Sequence, residues 1–510
     1  MNKYICIITI AAIALGIIGQ AEAKSLSGSR PNIILVMTDD QGYGDLSCNG
    51  HPYIKTPYID AFREQCTRFE DFHVSSTCAP TRGGIMSGVH PFKVGITHTI
   101  FHRDLMALDR TTLAEVMKEA GYSTGIFGKW HLGDADPYQP HNRGFDESLI
   151  HGGGIAGSSG IRSNGSYFDM IIRHNGQFVQ TRGFCTDVFF GQAMRWMKQQ
   201  HDASKPFLAC IFPNAPHGPW SAPDKYAKMY EYNREPAHKQ KAGFFAMISN
   251  IDDNMGLLMK KLDEWDLAND TVLIFMTDNG SVASSVYNAG MKGGKTSVNE
   301  GGARVPFFIR WPGKIEAGRD IDTLVRHFDL LPTFADLAGA DISNLTLDGK
   351  SVLPLLEDPN THWEKRTMFY HTGRWGNPLS KHEKHRRNPG ADNNKYRTFA
   401  VRNEQWRLSV KNGVEKDLLL CDILNDPGET VDVSKQYPEV VDQMLKIYGK
   451  WWEICRPLMI NEDADITKSE RPWLNYLKEQ KAEAPIPELV IPGVQTDVLV
   501  VPMSTKKTNE

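Results

Sequence analysis

Four short, nearly unbroken apolar runs punctuate the chain: Ile33–Met37, Ser123–Phe127, Phe207–Phe212 and Val272–Met276. Each has the length of a strand and none alternates with polar residues, which is the pattern of strands covered on both faces in a parallel sheet. Helical periodicity lies between them. Thr112-Leu113-Ala114-Glu115 is a capping box, followed by Val116, Met117 and Ala120 on one face and stopped by Gly121. Ala242 to Trp265 carries Met247, Ile251, Met255, Leu258 and Leu262 at helical spacing. Strands alternating with helices predict an α/β domain over residues 30–365, built on a mostly parallel mixed sheet flanked by helices. Beyond residue 365 the texture changes. A polar, His-rich stretch over 381–394 reads as a loop. Short strands are expected at Thr398–Arg402, Trp406–Val410 and Asp417–Cys421, and a helix at Glu439–Trp452. These make a smaller C-terminal α+β domain, antiparallel sheet plus helix, over 366–455. Proline and charge interrupt any period from 456 to 510, which predicts an irregular tail.

Composition narrows the class. At 510 residues two domains are expected, and 41% hydrophobic residues suffice for a sizeable core. A net charge of -4 with no basic stripe excludes nucleic acid as the natural partner. The start of the chain is different. Lys3, the apolar run Ile5 to Ile18 and the small-x-small Ala21-Glu22-Ala23 form the layout of a secretory signal peptide over residues 1–23. The run is short of the roughly 20 residues a spanning helix needs. The mature protein is therefore expected to be secreted or periplasmic, with no membrane association after cleavage near Ala23. Oligomeric state is not legible. Setting Cys6 aside leaves Cys48, Cys66, Cys78, Cys185, Cys210, Cys421 and Cys455, an odd set. Either one is consumed chemically and six are left to pair, or several are buried thiols.

The candidate chemistry lies directly after the apolar runs. The first ends in Thr38-Asp39-Asp40 and the second in Gly128-Lys129-Trp130-His131. The third leads into Pro213-Asn214-Ala215-Pro216-His217, and the fourth ends in Thr277-Asp278-Asn279-Gly280. Ligands bind outside the carboxyl ends of strands in open parallel sheets, so four strands deliver metal-type and acid/base side chains to one rim. One acidic pair alone would read as a helix cap; four such endings do not.

The segment Cys78-Ala79-Pro80-Thr81-Arg82, continuing through Gly83-Gly84-Ile85-Met86-Ser87-Gly88, resembles the signature of the type I sulfatases, in the alkaline phosphatase superfamily. The likeness extends in order through Asp39-Asp40, Gly128 to Gly133, Pro216-His217-Gly218-Pro219, Asp278-Asn279-Gly280, and Lys295 with Glu300 to Pro306. It covers roughly residues 30–455. The resemblance implies a sulfuric ester hydrolase in which a maturation enzyme oxidises Cys78 to formylglycine (3-oxoalanine). The hydrated aldehyde is a geminal diol. One hydroxyl attacks sulfur and expels the alcohol, and the other then loses its proton so that the aldehyde reforms and sulfate leaves. By the same resemblance Asp39, Asp40, Asp278 and Asn279, together with the modified Cys78, hold a cation. Such hard oxygen donors suit Ca²⁺, favoured here for a roomy cage, or Mg²⁺. Arg82, Lys129 and Lys295 add positive charge at the sulfuryl group, His131 attends the nucleophile, and His217 and Lys295 face the leaving oxygen. Lys292 is close enough in sequence to share the role of Lys295. Thr81 departs from the commoner serine, and Gly83-Gly84 is expected to loosen the start of the following helix.

The alcohol half of the substrate is harder to read. Export and Arg- and Trp-bearing loops point to a sulfated carbohydrate, with His102, Arg103, Arg374 and Trp375 as candidate contacts. His98, His371 and the Gly152-rich loop with Arg162 belong to the same set. For Trp375 the alternative is packing at the domain seam. A phosphodiesterase or phosphonate ester hydrolase, or an inactive glycan-binding homologue, are the competing functions.

Overall fold

The computed structural model describes residues 25–100, 102–153, 167–230, 236–358, 360–375, 390–410, 417–462 and 472–496. The signal-peptide reading, Arg162 and most of the 381–394 loop lie outside the described residues. No described helix is long and apolar enough to cross a membrane.

All four apolar runs are strands: β1 (Asn32–Thr38), β4 (Ser123–Lys129), β8 (Phe207–Phe212) and β9 (Thr271–Thr277). They are adjacent, in the order β9-β1-β8-β4, and parallel. The rest of the 11-stranded sheet extends on both sides. Beyond β9 come β10 (Phe307–Arg310), β2 (Thr67–Phe69) and β11 (Asp320–Ile321). Beyond β4 come β5 (Glu147–His151), β6 (Ile171–His174), β7 (Gln177–Thr181) and β17 (Glu488–Leu489). Antiparallel pairs at β10 and β5–β7 make the sheet mixed. Strands β3 (Phe72–His73) and β12 (Val325–Arg326) form a separate parallel pair.

The central strands are continuously apolar because both faces are covered. In β1, Ile33, Leu35 and Met37 enter one core and Ile34 and Val36 the other. Helices Leu113–Glu119, Cys78–Ser87 and Leu330–Ala338 close the first face, and helices Cys185–Asp202 and Pro236–Glu264 the second. The capping box is present, with the Thr112 hydroxyl accepting from the Glu115 amide and the Glu115 carboxylate accepting from the Thr112 amide.

The smaller sheet runs β13 (Met368–His371), β14 (Phe399–Arg402), β15 (Trp406–Val410), β16 (Leu418–Asp422), antiparallel throughout. Helix Pro438–Cys455 packs on it through Met444, Tyr448, Trp451 and Trp452. Three strands and the helix stand where the sequence places them; β13 is additional. The tail is the main correction. Pro472–Glu483 is a helix whose Trp473 and Leu477 enter the first core, and β17 pairs with β7 at the sheet edge. Its apolar residues are too few to show a period, yet they find a ready-made surface.

Gly83 and Gly84 are corrected too. The helix Cys78–Ser87 is wholly buried, and a Cβ at Gly84 would lie 2.3 Å from His327 Nε2, one at Gly83 2.3 Å from Ile96 Cδ1. The pair does not loosen the helix; it lets the helix lie flat against its neighbours. Gly84→Ala should therefore lower stability by about 1–3 kcal/mol through overpacking, despite alanine's better helix propensity, as read by urea unfolding. A stabilised variant would mean that His327 yields freely.

Candidate active site

Strand β1 ends at Thr38, and the next two residues turn sharply. Asp40 has a left-handed backbone (φ 69), as does His131 (φ 61) just past β4. Such conformations are costly for non-glycine residues and collect at functional sites. His217 follows β8 between two cis peptides, Ala215–Pro216 and Gly218–Pro219. Asp278 and Asn279 follow β9, and the Asp278 amide donates to the Thr38 carbonyl (3.0 Å). Cys78 opens its helix, with Arg82 one turn further on and stacked over Phe212 (5.5 Å).

These segments converge on one buried cluster. Lys129 Nζ donates to Asp39 Oδ2. Arg82 Nη2 lies 3.0 Å from Asp278 Oδ2 and 3.9 Å from Asp39 Oδ2, while its Nη1 donates to the Lys129 carbonyl (2.7 Å). Lys295 Nζ sits 2.5 Å from Asp40 Oδ1 and His217 Nε2 3.4 Å from Asp40 Oδ2. Asp278 Oδ1 accepts from the Asp40 amide (3.0 Å), and Asn279 Nδ2 donates to Asp40 Oδ1 (3.0 Å). Ligand-type atoms of Asp39, Cys78 and Asp278 lie within 4.8 Å of one another, as do those of Asp39, Asp40 and His217.

Electrostatics follows from burial and neighbours. Burial alone would raise the Asp39 pKa, but Lys129, His217, Arg82 and Lys295 overcome it and hold the carboxyl below the usual range. Asp278, buried and facing Asp39, is pushed up against the pull of Arg82 and Lys129. Burial also raises the Cys78 thiol, Lys129 and Lys295 opposing. His131 is held well below an ordinary histidine by burial and then by Lys129, and His217 is lowered by burial against Asp40 and Asp39. Burial disfavours the charged form of Lys295, yet Asp40 keeps its pKa raised.

Two oxygen atoms test whether a cation fits. Asp39 Oδ1 and Asn279 Oδ1 are buried without a protein hydrogen-bond partner. Both are hard oxygen donors, and orphaned polar atoms of this kind are expensive unless something meets them. The donor set fits a hard divalent cation.

The comparisons agree with this geometry. A family model described as Sulfatase matches residues 31–340, and one described as N-sulphoglucosamine sulphohydrolase, C-terminal, matches 294–450. The chain belongs to the sulfatase family. Its members are sulfuric ester hydrolases that generally use a formylglycine and a divalent metal. Human (Homo sapiens) arylsulfatase A is 29% identical, over 84% of this chain and 89% of its own length. N-acetylgalactosamine-6-sulfatase of Canis lupus familiaris is 28% identical over 72% of each chain. Among solved structures Ps i-CgsB aligns with a TM-score of 0.71 and 27% identity, covering 89% of this chain and 98% of that one, and was also solved in complex with k-i-k-neocarrahexaose.

The other expected residues of this sulfatase divide. Arg374 is exposed and His102 half-buried, both with left-handed backbones. Arg103 is corrected and Trp375 takes its seam-packing alternative: each is buried, with Arg103 Nη1 donating to the Trp375 carbonyl (3.0 Å). Trp375 packs against Phe92 (5.8 Å) and Trp452 (6.1 Å) in the core shared by the two domains. Neither is placed to stack on a sugar. His98 is buried, its Nδ1 accepting from the Thr99 amide (2.7 Å), and His371 is buried against Trp375. Lys292 Nζ points to the Glu429 carbonyl (3.4 Å), which leaves Lys295 alone of the two at Asp40. The seven described cysteines are free thiols.

Two groups near the site escaped the sequence. Asp104 Oδ2 lies 3.8 Å from His131 Nε2, and His151 is paired in register with Lys129 at the end of β5. Asp104 has no motif around it. His151 had a signal, because Glu147–His151 ends, like β4 with Lys129, in an ionisable residue.

Proposed function

We propose that this sulfatase is an exported enzyme that removes sulfate from carbohydrates, with Cys78 matured to formylglycine and Ca²⁺ held by Asp39, Asp40, Asp278 and Asn279. The observation that carries the reading is the position of Cys78, buried at the head of a helix inside the Asp39–Asp278–Arg82–Lys129 cluster. A thiol kept protonated by burial is a poor nucleophile. The same position suits an aldehyde hydrate, which supplies an attacking hydroxyl and a route for releasing sulfate. Export rests on the Met1–Ala23 pattern, and the maturation enzyme is the partner that the Cys78-Ala79-Pro80-Thr81-Arg82 segment would meet.

Roles follow from the geometry. The cation would polarise the sulfate oxygens and lower the pKa of the attacking hydroxyl. Arg82 and Lys129 complete a preorganised positive wall for the charge that develops on those oxygens. His131, kept neutral by burial, takes the proton of the nucleophile. His217, whose lowered pKa makes its protonated form a stronger acid, gives a proton to the departing alcohol. Lys295 has a raised pKa, so it contributes charge and hydrogen bonds more readily than a proton. Sugar as the alcohol is supported by the oligosaccharide complex of Ps i-CgsB and by the accessible His102 and Arg374.

Protein co-expressed with a maturation enzyme should lose thiol mass at position 78 and desulfate members of a panel of defined sulfated sugars. Unmodified Cys78 in a fully active preparation would remove the nucleophile. Cleavage of aryl sulfates with no sulfated sugar accepted would remove the substrate class, and faster turnover of nitrophenyl phosphate than sulfate would favour phosphorus chemistry.

Ca²⁺ at about 100 times its Kd should stabilise the fold by about 2.7 kcal/mol, read as a rise in Tm that EDTA reverses. Asp278→Ala should abolish both the rise and activity. An unchanged Ca²⁺ response in that variant would place the cation elsewhere.

His217→Ala should lose about 100-fold or more in rate on a sulfated sugar and far less on nitrophenyl sulfate, whose leaving group needs no proton. Equal losses would move His217 from acid catalysis to sulfate binding.

A further inference from the structure

His131 Nε2 lies 2.8 Å from the Thr99 carbonyl oxygen. A carbonyl only accepts, so Nε2 carries the proton and Nδ1 keeps its lone pair. Nδ1 is buried and has no protein partner. The backbone of Thr99 thus selects the tautomer in which Nδ1 is the basic nitrogen, a choice that the ring cannot make alone.

Thr99 stands in a loop whose ends meet, the amides of Thr97 and His98 both donating to the Arg103 carbonyl (3.0 and 3.2 Å). Residues far along the chain grip this loop. Glu462 Oε1 accepts from the Thr97 hydroxyl, and Glu462 Oε2 accepts from the Trp375 indole and lies 3.4 Å from Arg103 Nη2. Asn461 Nδ2 donates to the carbonyls of Gly95 (2.9 Å) and Leu105 (2.7 Å), one on each stem. From the small domain, the Arg374 amide donates to the Thr97 carbonyl (3.0 Å). Gly373 comes so close that a Cβ there would sit 1.9 Å from the same oxygen. Thr97, Arg103, Trp375 and Glu462 are all buried. A buried carboxylate engaged this fully is rigid, and removing it strands an indole N–H and a hydroxyl and takes the carboxylate from beside Arg103.

We propose that Glu462 is a positioning residue for His131: from beyond the small domain, it fixes the 97–103 loop so that the Thr99 carbonyl holds His131 with Nδ1 unprotonated toward the nucleophile. The inference rests on the reading of His131 as the base. It also gives Arg103 and Trp375 a task, since both are partners of Glu462.

The matured enzyme is assayed on an aryl sulfate. Glu462→Ala should lower kcat about 10- to 100-fold, by analogy with losing the outer partners that orient metal-bound histidines, with little change in KM. Glu462→Gln, which keeps an acceptor, should recover part of the rate. In a His131→Ala background, Glu462→Ala should cost nothing further. Tm measured alongside separates folding from turnover. If Glu462→Ala fails to fold, Trp375→Phe keeps the ring, loses the donor, and should show a smaller kcat loss with the same non-additivity. Full kcat in the Glu462 variant, or equal fold-losses in both backgrounds, would overturn the proposal. A His131→Ala enzyme at full rate would instead remove the base assignment beneath it.

Discussion

The arrangement depends on keeping three carboxylates and three strong cations dry in one place. Asp39, Asp40 and Asp278 face Arg82, Lys129 and Lys295, and five of these six side chains are almost wholly buried. Each ion loses its hydration on folding, and mutual attraction offsets that loss only where the geometry is tight. Four adjacent strands provide the tightness. Parallel strands in register end at the same height, so Asp39, Lys129 and Asp278 project from a rim that the cores on both faces hold still. Balance within the protein still leaves Asp39 Oδ1 and Asn279 Oδ1 unmet, which is where the proposed cation fits.

A second charged cluster solves a different problem with similar parts. Asp71, His73 and Glu300 are spaced closely enough for a metal. Here, however, Arg402 Nη2 contacts both oxygens of Asp71 (3.0 Å each), Arg402 Nε lies 2.9 Å from Glu300 Oε1, and Arg407 also reaches Glu300. Planar guanidinium groups from β14 and β15 already engage both carboxylates, and the forked donors of Arg402 satisfy Asp71 better than a point charge would. The cluster ties the small domain to the segment just after Lys295. At the active site each lysine contacts a single carboxylate oxygen; at the seam Arg402 takes both oxygens of Asp71, while Arg402 and Arg407 share Glu300 Oε1 and leave Glu300 Oε2 without a hydrogen-bond partner.

Legibility followed the range of the interactions. The central strands and the residues after them were readable because burial on both faces imposes an unbroken apolar run, and function places polar groups directly after it. The capping box and the helix 438–455 were readable because their determinants lie within a turn or two. Arg103 and Trp375 were misread, since an Arg-Trp surface and an Arg-Trp seam look alike until Glu462 is brought up from the far end of the chain. The helix at 472–483 escaped for the same reason: Trp473 and Leu477 are too few to show a period and are buried by a core they do not themselves build.

Substrate discrimination is a separate task. The groups proposed to hold the sulfuryl oxygens would meet the same charge in every sulfate ester, so apart from His217, proposed at the leaving oxygen, they cannot separate one alcohol from another. Discrimination needs contacts on the alcohol that strengthen toward the transition state. The buried residues of the 97–103 loop and the seam are excluded from that task, because their polar groups are committed to one another. Accessible side chains raised on strained turns remain, of the kind shown by His102 and Arg374. Both turns stand on the framework that Glu462 holds, His102 within the loop and Arg374 through its amide on Thr97. The framework proposed to orient the base thereby also supports these two turns, and a change in one would be felt by the other.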